Sequence, residues 1–266
     1  MVEYLAVVTG GAQGIGLAIV MELLEAGGKV YFIDMDEEQG KKAEKDLQHR
    51  YGQDRVKFIK CDVSNEKEFE ASIRKAREEM RGLNVMCNNA GFARPFYDMS
   101  RWELEIDVNL KASIRGSLIA LELMNPENNG SGGVIVNTSS YTGLNPAPLF
   151  PTYCAAKAGV IAFARGFAPI AVTSNVRINC VLPDATMTPM YQKTLPELAS
   201  TLSQEKFQSF MKTMTSSQGS KQAISPNTQE PRDVALGVIK ILQDETKNGE
   251  ALVVSKEHGT YYHQFN

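Results

Sequence analysis

The sequence predicts one α/β domain built on a doubly wound parallel sheet. Short runs rich in β-branched and aromatic residues alternate with longer segments of helical periodicity: LAVV precedes a helix over 14–27, and KVYFI precedes a helix over 36–51. Repeated βαβ units of this kind form a parallel sheet that helices cover on both faces. The 266 residues, 43% of them apolar, are enough to fill such a core.

The alternation continues through the second half of the chain. VKFI precedes a predicted helix over 66–80, NVMC one over 100–124, and GVIVN one over 152–172, after which VRINCV forms the sixth strand. The pattern closes with a last strand over 251–254. We therefore predict that residues 1–266 form a single domain.

Residues 185–230 interrupt this order. The segment is rich in Thr, Ser, Gln and Met, and its larger apolar residues fall near a helical stripe. These residues are Leu195, Leu198, Leu202, Phe207, Phe210 and Met214. We predict a helical substrate lid inserted into the domain.

Charge and composition exclude several classes of partner. Lys and Arg number 28 against 31 Asp and Glu, a net charge of −3, and no block of like charge indicates a nucleic-acid or anionic-membrane surface. The first residues, MVEYLAVVTGG, contain neither a basic leader nor a long apolar run, and no stretch reaches roughly 18 consecutive apolar residues. We predict a cytoplasmic protein that binds neither nucleic acid nor membrane.

The cysteines and histidines form no metal-binding pattern. Cys61, Cys87, Cys154 and Cys180 lie in separate apolar contexts without CxxC spacing, and the histidines share no ligand spacing. We predict no metal site, and we predict that the cysteines are buried and reduced.

The first predicted strand ends in a glycine-rich turn, TGGAQGIG, that leads directly into a helix. Glycines let the backbone approach a pyrophosphate, whose charge is stabilised by the N–H groups and the dipole at the helix start. We predict that a dinucleotide cofactor binds Gly10, Gln13, Gly14, Ile15 and Gly16. The alternative is a glycine-rich turn that binds no ligand.

Asp34 ends the second predicted strand. A carboxylate at this position accepts hydrogen bonds from the hydroxyls of an adenosine ribose and repels a 2′-phosphate. Neighbouring Gln13 and Met35 offer no cation to bind such a phosphate. Asp34 therefore predicts NAD as the cofactor rather than NADP, the alternative being a solvated acid at a strand end.

The segment PTYCAAKAG places Tyr153 four residues before Lys157, on one face of a predicted helix and among small side chains. A phenol is a poor base near neutral pH, but a nearby ammonium group stabilises the phenolate and lowers the pKa of the phenol. Tyr153 is therefore a candidate general acid or base. Ser140 follows a strand whose carboxyl end lies where open α/β sheets bind ligands, so its hydroxyl is placed to hold a substrate oxygen.

Six motifs occur together in one order along the chain. They are TGGAQGIG at 9–16, Asp62-Val63, NNAG at 88–91, Asn109, Ser140 and YCAAK at 153–157. In this order they resemble the short-chain dehydrogenases/reductases, and the resemblance covers nearly the whole chain. It implies a Rossmann-like sheet of seven strands, and a homodimer or homotetramer formed through the helices over 100–124 and 152–172.

The resemblance also implies roles for single residues. Tyr153 would exchange a proton with the substrate, Ser140 would orient the substrate oxygen, and Lys157 would tune Tyr153 and bind the nicotinamide ribose. Asn109 would hold a water molecule that links Lys157 to solvent. The remaining implied cofactor contacts are Asp62, Val63, Asn89, Gly91, Pro183 and Thr188.

Two positions depart from the pattern of that family. Its members that the chain most resembles have a glutamine three residues before the tyrosine, whereas this chain has Phe150, and we predict apolar substrate contacts at Phe150 and Tyr191. Asp184 stands where the family usually has a glycine. Its carboxylate points either inward, where it would favour the oxidised nicotinamide ring, or outward to solvent.

Together these residues predict an NAD-dependent oxidoreductase. It would oxidise a secondary alcohol on an apolar small molecule, such as a hydroxy lipid, a prostaglandin-like compound, a retinoid, a terpenol or a steroid, to the ketone or aldehyde. One alternative is a carbonyl reductase that runs the reverse reaction, which Asp34 disfavours because it repels a phosphate-bearing reduced cofactor. The other is a catalytically silent NAD-binding protein, which would not need the complete set of Asn109, Ser140, Tyr153 and Lys157.

Overall fold

The structure, a computed structural model, describes residues 3–95, 99–193, 203–205, 208 and 228–265. In this part of the chain eight strands form one sheet in the order β3-β2-β1-β4-β5-β6-β7-β8. The strands are β1 Leu5–Thr9, β2 Lys29–Asp34, β3 Val56–Lys60, β4 Val85–Asn88, β5 Gly133–Thr138, β6 Val176–Pro183, β7 Ala251–Ser255 and β8 Gly259–Tyr262. The order reverses between β1 and β4, which is the topology of a Rossmann-like fold and confirms the predicted fold class.

Strand β8 corrects the expectation of seven parallel strands. The first seven strands pair in parallel, whereas β8 pairs antiparallel with β7, so that Leu252 lies opposite Tyr262 and Ser255 opposite Gly259. Gly259 has a φ of +76°, a conformation that glycine adopts readily, and it ends the tight turn between the two strands. A short turn of this kind can join antiparallel neighbours only, because parallel neighbours need a long crossover connection.

Seven α-helices lie entirely within the described part of the chain. They are α1 Gly14–Glu25, α2 Glu37–Tyr51, α3 Glu66–Met80, α4 Trp102–Ile106, α5 Ala112–Met124, α6 Pro151–Ala171 and α7 Pro231–Gln243. Helices α3, α5 and α6 lie on one face, and α1, α2 and α7 lie on the other. Neighbouring strand residues supply the two cores alternately, as Val7 packs into the first core and Val8 into the second.

Residues 99–124 are helical throughout, as the sequence predicts over 100–124, but the helix is not uniformly an α-helix. A 3-10 turn at Met99–Arg101 precedes α4, and a π-helical turn at Asp107–Lys111 separates α4 from α5. The π turn contains Asn109, whose fully buried side chain forms two hydrogen bonds with the backbone of Phe92. π turns inside α-helices are frequently found at functional sites.

The starts of the helices differ in how their first N–H groups are bonded. Asp36 caps α2 by accepting from Gln39 N, and Asn65 caps α3 by accepting from Glu68 N. Helix α1 begins after Gln13, which makes no side-chain cap. The first N–H groups of α1 therefore have no side-chain partner at the turn where the sequence predicts a phosphate site.

The cysteines lie in the interior of the protein. All four cysteines are free and buried, as predicted. Within the described residues no group of three His, Cys, Asp or Glu side chains is placed to hold a metal ion.

By length and composition alone, Pro151–Ser174 has the character of a membrane span, but α6 within it packs on the sheet against β6. The apolar stripe predicted from Leu195 to Met214 lies outside the described residues.

Asn84 joins the amino ends of β1 and β4, which are the ends of these strands away from the glycine turn. Its side chain accepts from Leu5 N at 2.8 Å and donates to Glu3 O at 2.9 Å. We expect Asn84→Ala to lower the free energy of unfolding by about 1–3 kcal/mol, because two hydrogen bonds are lost. Urea denaturation measures the loss, and dinucleotide affinity should stay unchanged; a weaker affinity in the folded variant would contradict a purely structural role.

Candidate active site

The glycine turn after β1 forms a cradle that only glycine permits. Gly10 and Gly14 have φ values of +65° and +57°, and a Cβ at Gly10 would lie 2.9 Å from Cα of Ala90. A Cβ at Gly16 would overlap the carbonyl oxygen of Gly10. The turn therefore keeps its backbone N–H groups open at the start of α1, which is the environment that a pyrophosphate needs. The residues at this site fit a dinucleotide cofactor.

The segment after β6 lies against the same turn. A Cβ at Gly14 would lie 3.4 Å from Cγ2 of Thr188, so the two segments face each other. The Thr188 hydroxyl accepts from Tyr191 N at 3.2 Å, at the start of a helix whose described residues are 189–193. Of the other predicted contacts in the turn, Gln13 is exposed and Ile15 is half-buried. The structure therefore brings Thr188 to the predicted cofactor cradle.

The carboxylate of Asp34 is also beside the glycine turn. Its Oδ2 accepts from Ala12 N at 3.0 Å, and its Oδ1 accepts from Asp36 N at 3.1 Å. Asp34 is half-buried. At the end of β3, Asp62 accepts from Ser64 N and Oγ at 2.9 and 2.7 Å, and Val63 is buried. No described contact joins Asp62 or Val63 to the glycine turn, so their roles remain expectations.

Asn89 connects three neighbouring strands at their carboxyl ends. Its N–H donates to Oγ1 of Thr9 at 2.9 Å, and its Nδ2 donates to the carbonyl oxygen of Thr9 at 3.1 Å. Its Oδ1 accepts from Oγ1 of Thr138 at 3.2 Å. Sequence reasoning did not select Thr9 or Thr138 as site residues, although both end strands at the edge where ligands bind.

Lys157 is almost completely buried within this edge of the sheet, with 2% of its surface exposed. Its Nζ donates to the carbonyl oxygen of Thr138 at 2.9 Å, and its own carbonyl oxygen accepts from Oγ of Ser139 at 2.7 Å. A Cβ at Gly91 would lie 3.4 Å from Nζ, so a glycine lets the loop after β4 approach the ammonium group. Burial lowers the pKa of Lys157 to about 8.

Tyr153 lies beside Lys157 and Ser140, as the sequence predicts. Nζ of Lys157 is 5.4 Å from the centroid of the phenol ring. Burial raises the pKa of Tyr153 to about 12, and a hydrogen bond with Ser140 partly offsets this rise. The expected fall of this pKa is therefore not seen in the protein without cofactor, because desolvation disfavours the phenolate more than its neighbours favour it.

Ser140 and Asn109 complete the predicted set of four residues. Oγ of Ser140 accepts from the N–H and hydroxyl of Thr142 at 3.2 and 3.0 Å, which fixes its orientation. Asn109 donates to Phe92 O at 2.7 Å and accepts from Phe92 N at 3.2 Å. A Cβ at Gly91 would lie 2.5 Å from Oδ1 of Asn109. The loop after β4 is therefore held between Asn109 and Lys157.

Apolar side chains adjoin the Tyr153 end of the site. The Phe150 ring lies 6.4 Å from the Tyr153 ring, at an angle of 67° between their planes. On the segment after β6, Met187 and Met190 are 37% and 40% exposed. Tyr191 is half-buried, and burial raises the pKa of its hydroxyl. Phe150 therefore places apolar surface beside the phenol.

Asp184 has neither of the two orientations that the sequence left open. Its Oδ2 accepts from Oγ of Ser255 at 2.8 Å, and its Oδ1 accepts from Ala185 N at 2.8 Å. Ser255 Oγ in turn accepts from the N–H groups of Glu257 and His258 in the turn between β7 and β8. The carboxylate therefore joins the segment after β6 to the carboxyl-terminal hairpin, and its backbone does not adopt the positive φ that favours glycine.

Comparison with known proteins confirms the resemblance. The family model of the short chain dehydrogenases matches residues 4–199. Rat (Rattus norvegicus) 15-hydroxyprostaglandin dehydrogenase (NAD+) is 31% identical over 98% of this chain and 94% of its own length. The 3-oxoacyl-acyl-carrier-protein reductase of Chlamydia muridarum is 35% identical over 69% of this chain and 74% of its own length. The crystal structure of gox2181 superposes with a TM-score of 0.77 at 27% identity, covering 95% of this chain and 94% of that one.

The buried ammonium of Lys157 predicts a dependence of stability on pH. Its pKa falls from 10.5 in the ordinary case to about 8 in the folded protein, so between these values the unfolded chain binds more protons and stability rises with pH. The penalty of burying the charge is fully present below pH 8.

Between pH 8 and pH 9.5, we expect the free energy of unfolding of the parent protein to rise by about 2 kcal/mol relative to that of Lys157→Met. Urea denaturation across this range measures it. A difference that does not change with pH would show that Lys157 keeps its ordinary pKa.

Proposed function

The chain belongs to the short-chain dehydrogenase family, and we propose that it is an NAD-dependent oxidoreductase that oxidises a secondary alcohol on an apolar small molecule. The observation that carries this proposal is the group formed by the Tyr153 phenol, the Ser140 hydroxyl and the Lys157 ammonium. These three groups lie at the carboxyl ends of the strands, next to the glycine turn where the cofactor would bind. A proton acceptor, an oxygen-binding group and a cofactor site are what alcohol oxidation requires.

In this proposal Ser140 and Tyr153 hold the substrate hydroxyl. Tyr153 takes the hydroxyl proton as the carbinol carbon loses a hydride, so the alcohol becomes a carbonyl compound. The chemistry that NAD supplies is acceptance of that hydride. The Lys157 ammonium, 5.4 Å from the phenol ring, favours the phenolate that proton transfer requires. Asn109 acts on Lys157 through the loop after β4 and through the water molecule that the resemblance implies.

Asp34 supports NAD as the cofactor. Its carboxylate lies at the glycine turn and is fixed by the N–H groups of Ala12 and Asp36. The carboxylate would accept hydrogen bonds from the ribose hydroxyls, and its negative charge would repel a 2′-phosphate. The cofactor would further contact the turn residues Gly10, Gln13, Gly14, Ile15 and Gly16, and the residues Asp62, Val63, Asn89, Gly91, Pro183 and Thr188.

The surroundings of Tyr153 support an apolar substrate. Phe150 lies edge-on to the phenol, and Met187 and Met190 present exposed apolar side chains on the segment after β6. Tyr191 adds a half-buried ring. Hydroxy lipids, prostaglandin-like compounds, retinoids, terpenols and steroids have the apolar surface and the secondary or primary hydroxyl that such a site would bind.

A carbonyl reductase is the second candidate, and one observation favours it. With a pKa of about 12 in the protein without cofactor, Tyr153 is a neutral phenol at pH 7 and is able to donate a proton to a carbonyl oxygen. The same residues would then catalyse the reverse reaction with the reduced cofactor. Rates measured in both directions with one alcohol–ketone pair decide between the two.

The organisation of the protein completes the proposal. Residues 1–266 would form one catalytic domain, with 185–230 as the substrate lid, in a cytoplasmic homodimer or homotetramer. Leu118 on α5 and Ile170 at the end of α6 are 48% and 56% exposed, and apolar exposure on these two helices supports their role as the contact between subunits.

We expect Tyr153→Phe to lower kcat by about 100-fold to 10,000-fold while NAD still binds, because the variant keeps the ring and loses the acid/base group. Nicotinamide absorbance with a panel of hydroxy fatty acids, prostaglandins, retinol, terpenols and steroids measures the reaction. Tyr51→Phe is the matched control, since Tyr51 bonds to Glu25 on the far side of the sheet. Equal rates in parent and Tyr153→Phe would exclude Tyr153 as the catalytic group.

We expect Asp34→Ala to reduce the preference for NAD over NADP by about 10-fold to 100-fold in kcat/KM, because removal of the carboxylate ends the repulsion of the 2′-phosphate and loses the ribose contact. Steady-state kinetics with both cofactors measure the ratio. Asp36→Ala, which removes a neighbouring exposed acid, is the control. A ratio that is the same in Asp34→Ala and the parent would contradict this role of Asp34.

A further inference from the structure

Glu105 is a buried acid that the proposed reaction does not use. It lies on α4, and only 1% of its surface is exposed. Its carboxylate accepts from Arg94 N at 2.8 Å, and no side-chain ion pair with it is found among the described residues. A buried carboxylate with so few partners is costly, so its presence calls for a functional explanation.

The charge of Glu105 acts on the candidate site. Helix α4 packs against α6, and the negative charge of Glu105 raises the pKa of Tyr153, Cys154 and Lys157 on that helix. Cys180 on β6 also raises the pKa of Lys157, and its effect is larger than that of Glu105. Burial raises the pKa of Glu105 itself, while the Arg94 N–H and the charges of Arg94 and Lys157 lower it. On the adjoining π turn, Asp107 and Lys111 form an ion pair with each other at 2.6 Å.

Glu105 also holds the loop 91–95 after β4. Glu105 and Asn109 are four residues apart, and they bond alternate residues of that loop, Arg94 and Phe92. The loop begins at Gly91, where a Cβ would lie 3.4 Å from Nζ of Lys157. One acid is therefore joined to Lys157 in two ways, through its charge and through the loop that covers the ammonium group.

We propose that Glu105 is a positioning residue for proton transfer by Tyr153: its carboxylate fixes the loop 91–95 beside Lys157 and adds a negative charge that favours the ammonium form of Lys157. The proposal rests on the proposed function, because it gives Lys157 its role in that reaction. Desolvation alone would favour the neutral amine, which cannot stabilise a phenolate. Glu105 opposes that effect from inside the protein, where charges are weakly screened.

The first test is the pH profile of kcat/KM. Glu105→Gln keeps an acceptor for Arg94 N and removes the charge, and Glu103→Gln on the exposed side of the same helix is the matched control. Because the carboxylate raises the pKa of both Tyr153 and Lys157, we expect Glu105→Gln to shift both limbs of the profile to lower pH by on the order of one unit. The control should keep the parent profile. A Glu105→Gln profile identical to that of the parent would overturn the proposal.

The second test needs no turnover. Melting temperatures at pH 7 are measured for the parent, Glu105→Gln, Lys157→Met and the double variant. We expect Glu105→Gln to lower the melting temperature more in the parent than in the Lys157→Met background. In the Lys157→Met background the positive charge with which the carboxylate interacts is already absent. Additive effects would overturn the proposal. Coupling without turnover on any alcohol would support the interaction of Glu105 with Lys157 and contradict the proposed function, so the two failures are distinguishable.

Discussion

The buried ammonium group of Lys157 is the constraint on which the arrangement of the site depends. An ammonium ion out of water is costly unless its protons are bonded, and the carbonyl oxygen of Thr138 accepts one of them at 2.9 Å. The hydroxyl of Thr138 donates to Asn89, which itself donates to Thr9. One lysine is thereby connected to the ends of β1, β4 and β5, and the glycine turn that follows β1 takes its position from them.

The carboxyl ends and the amino ends of the strands therefore differ in the polar residues that they hold. Near the carboxyl ends of the strands the protein buries three polar residues, Lys157, Glu105 and Asn109, of which the first two are ionisable. At the amino edge Asn84 bonds backbone groups of β1 and of the segment before it. The apolar cores on both faces of the sheet offset the cost of the polar edge, which is the usual balance between stability and function in an enzyme.

The carboxyl-terminal hairpin takes part in the same arrangement. Asp184 bonds Ser255, whose hydroxyl orders the turn between β7 and β8. The segment that begins at Asp184 continues to Thr188, which lies against Gly14 in the glycine turn. An aspartate in place of a glycine is thus explained by a contact with the end of the chain rather than by a charge aimed at the cofactor.

The features that depend on local patterns could be predicted from the sequence: seven of the eight strands, the glycine turn over 9–16, and the pairing of Tyr153 with Lys157 one helical turn apart. Periodicity, glycine conformation and helix geometry depend on residues that are close together in the sequence, so the sequence is enough to predict them. Only the tertiary structure decided the raised pKa of Tyr153 and the place of Glu105. It also decided the bond between Asp184 and Ser255, because burial and pairing of this kind arise between segments that only the folded chain brings together.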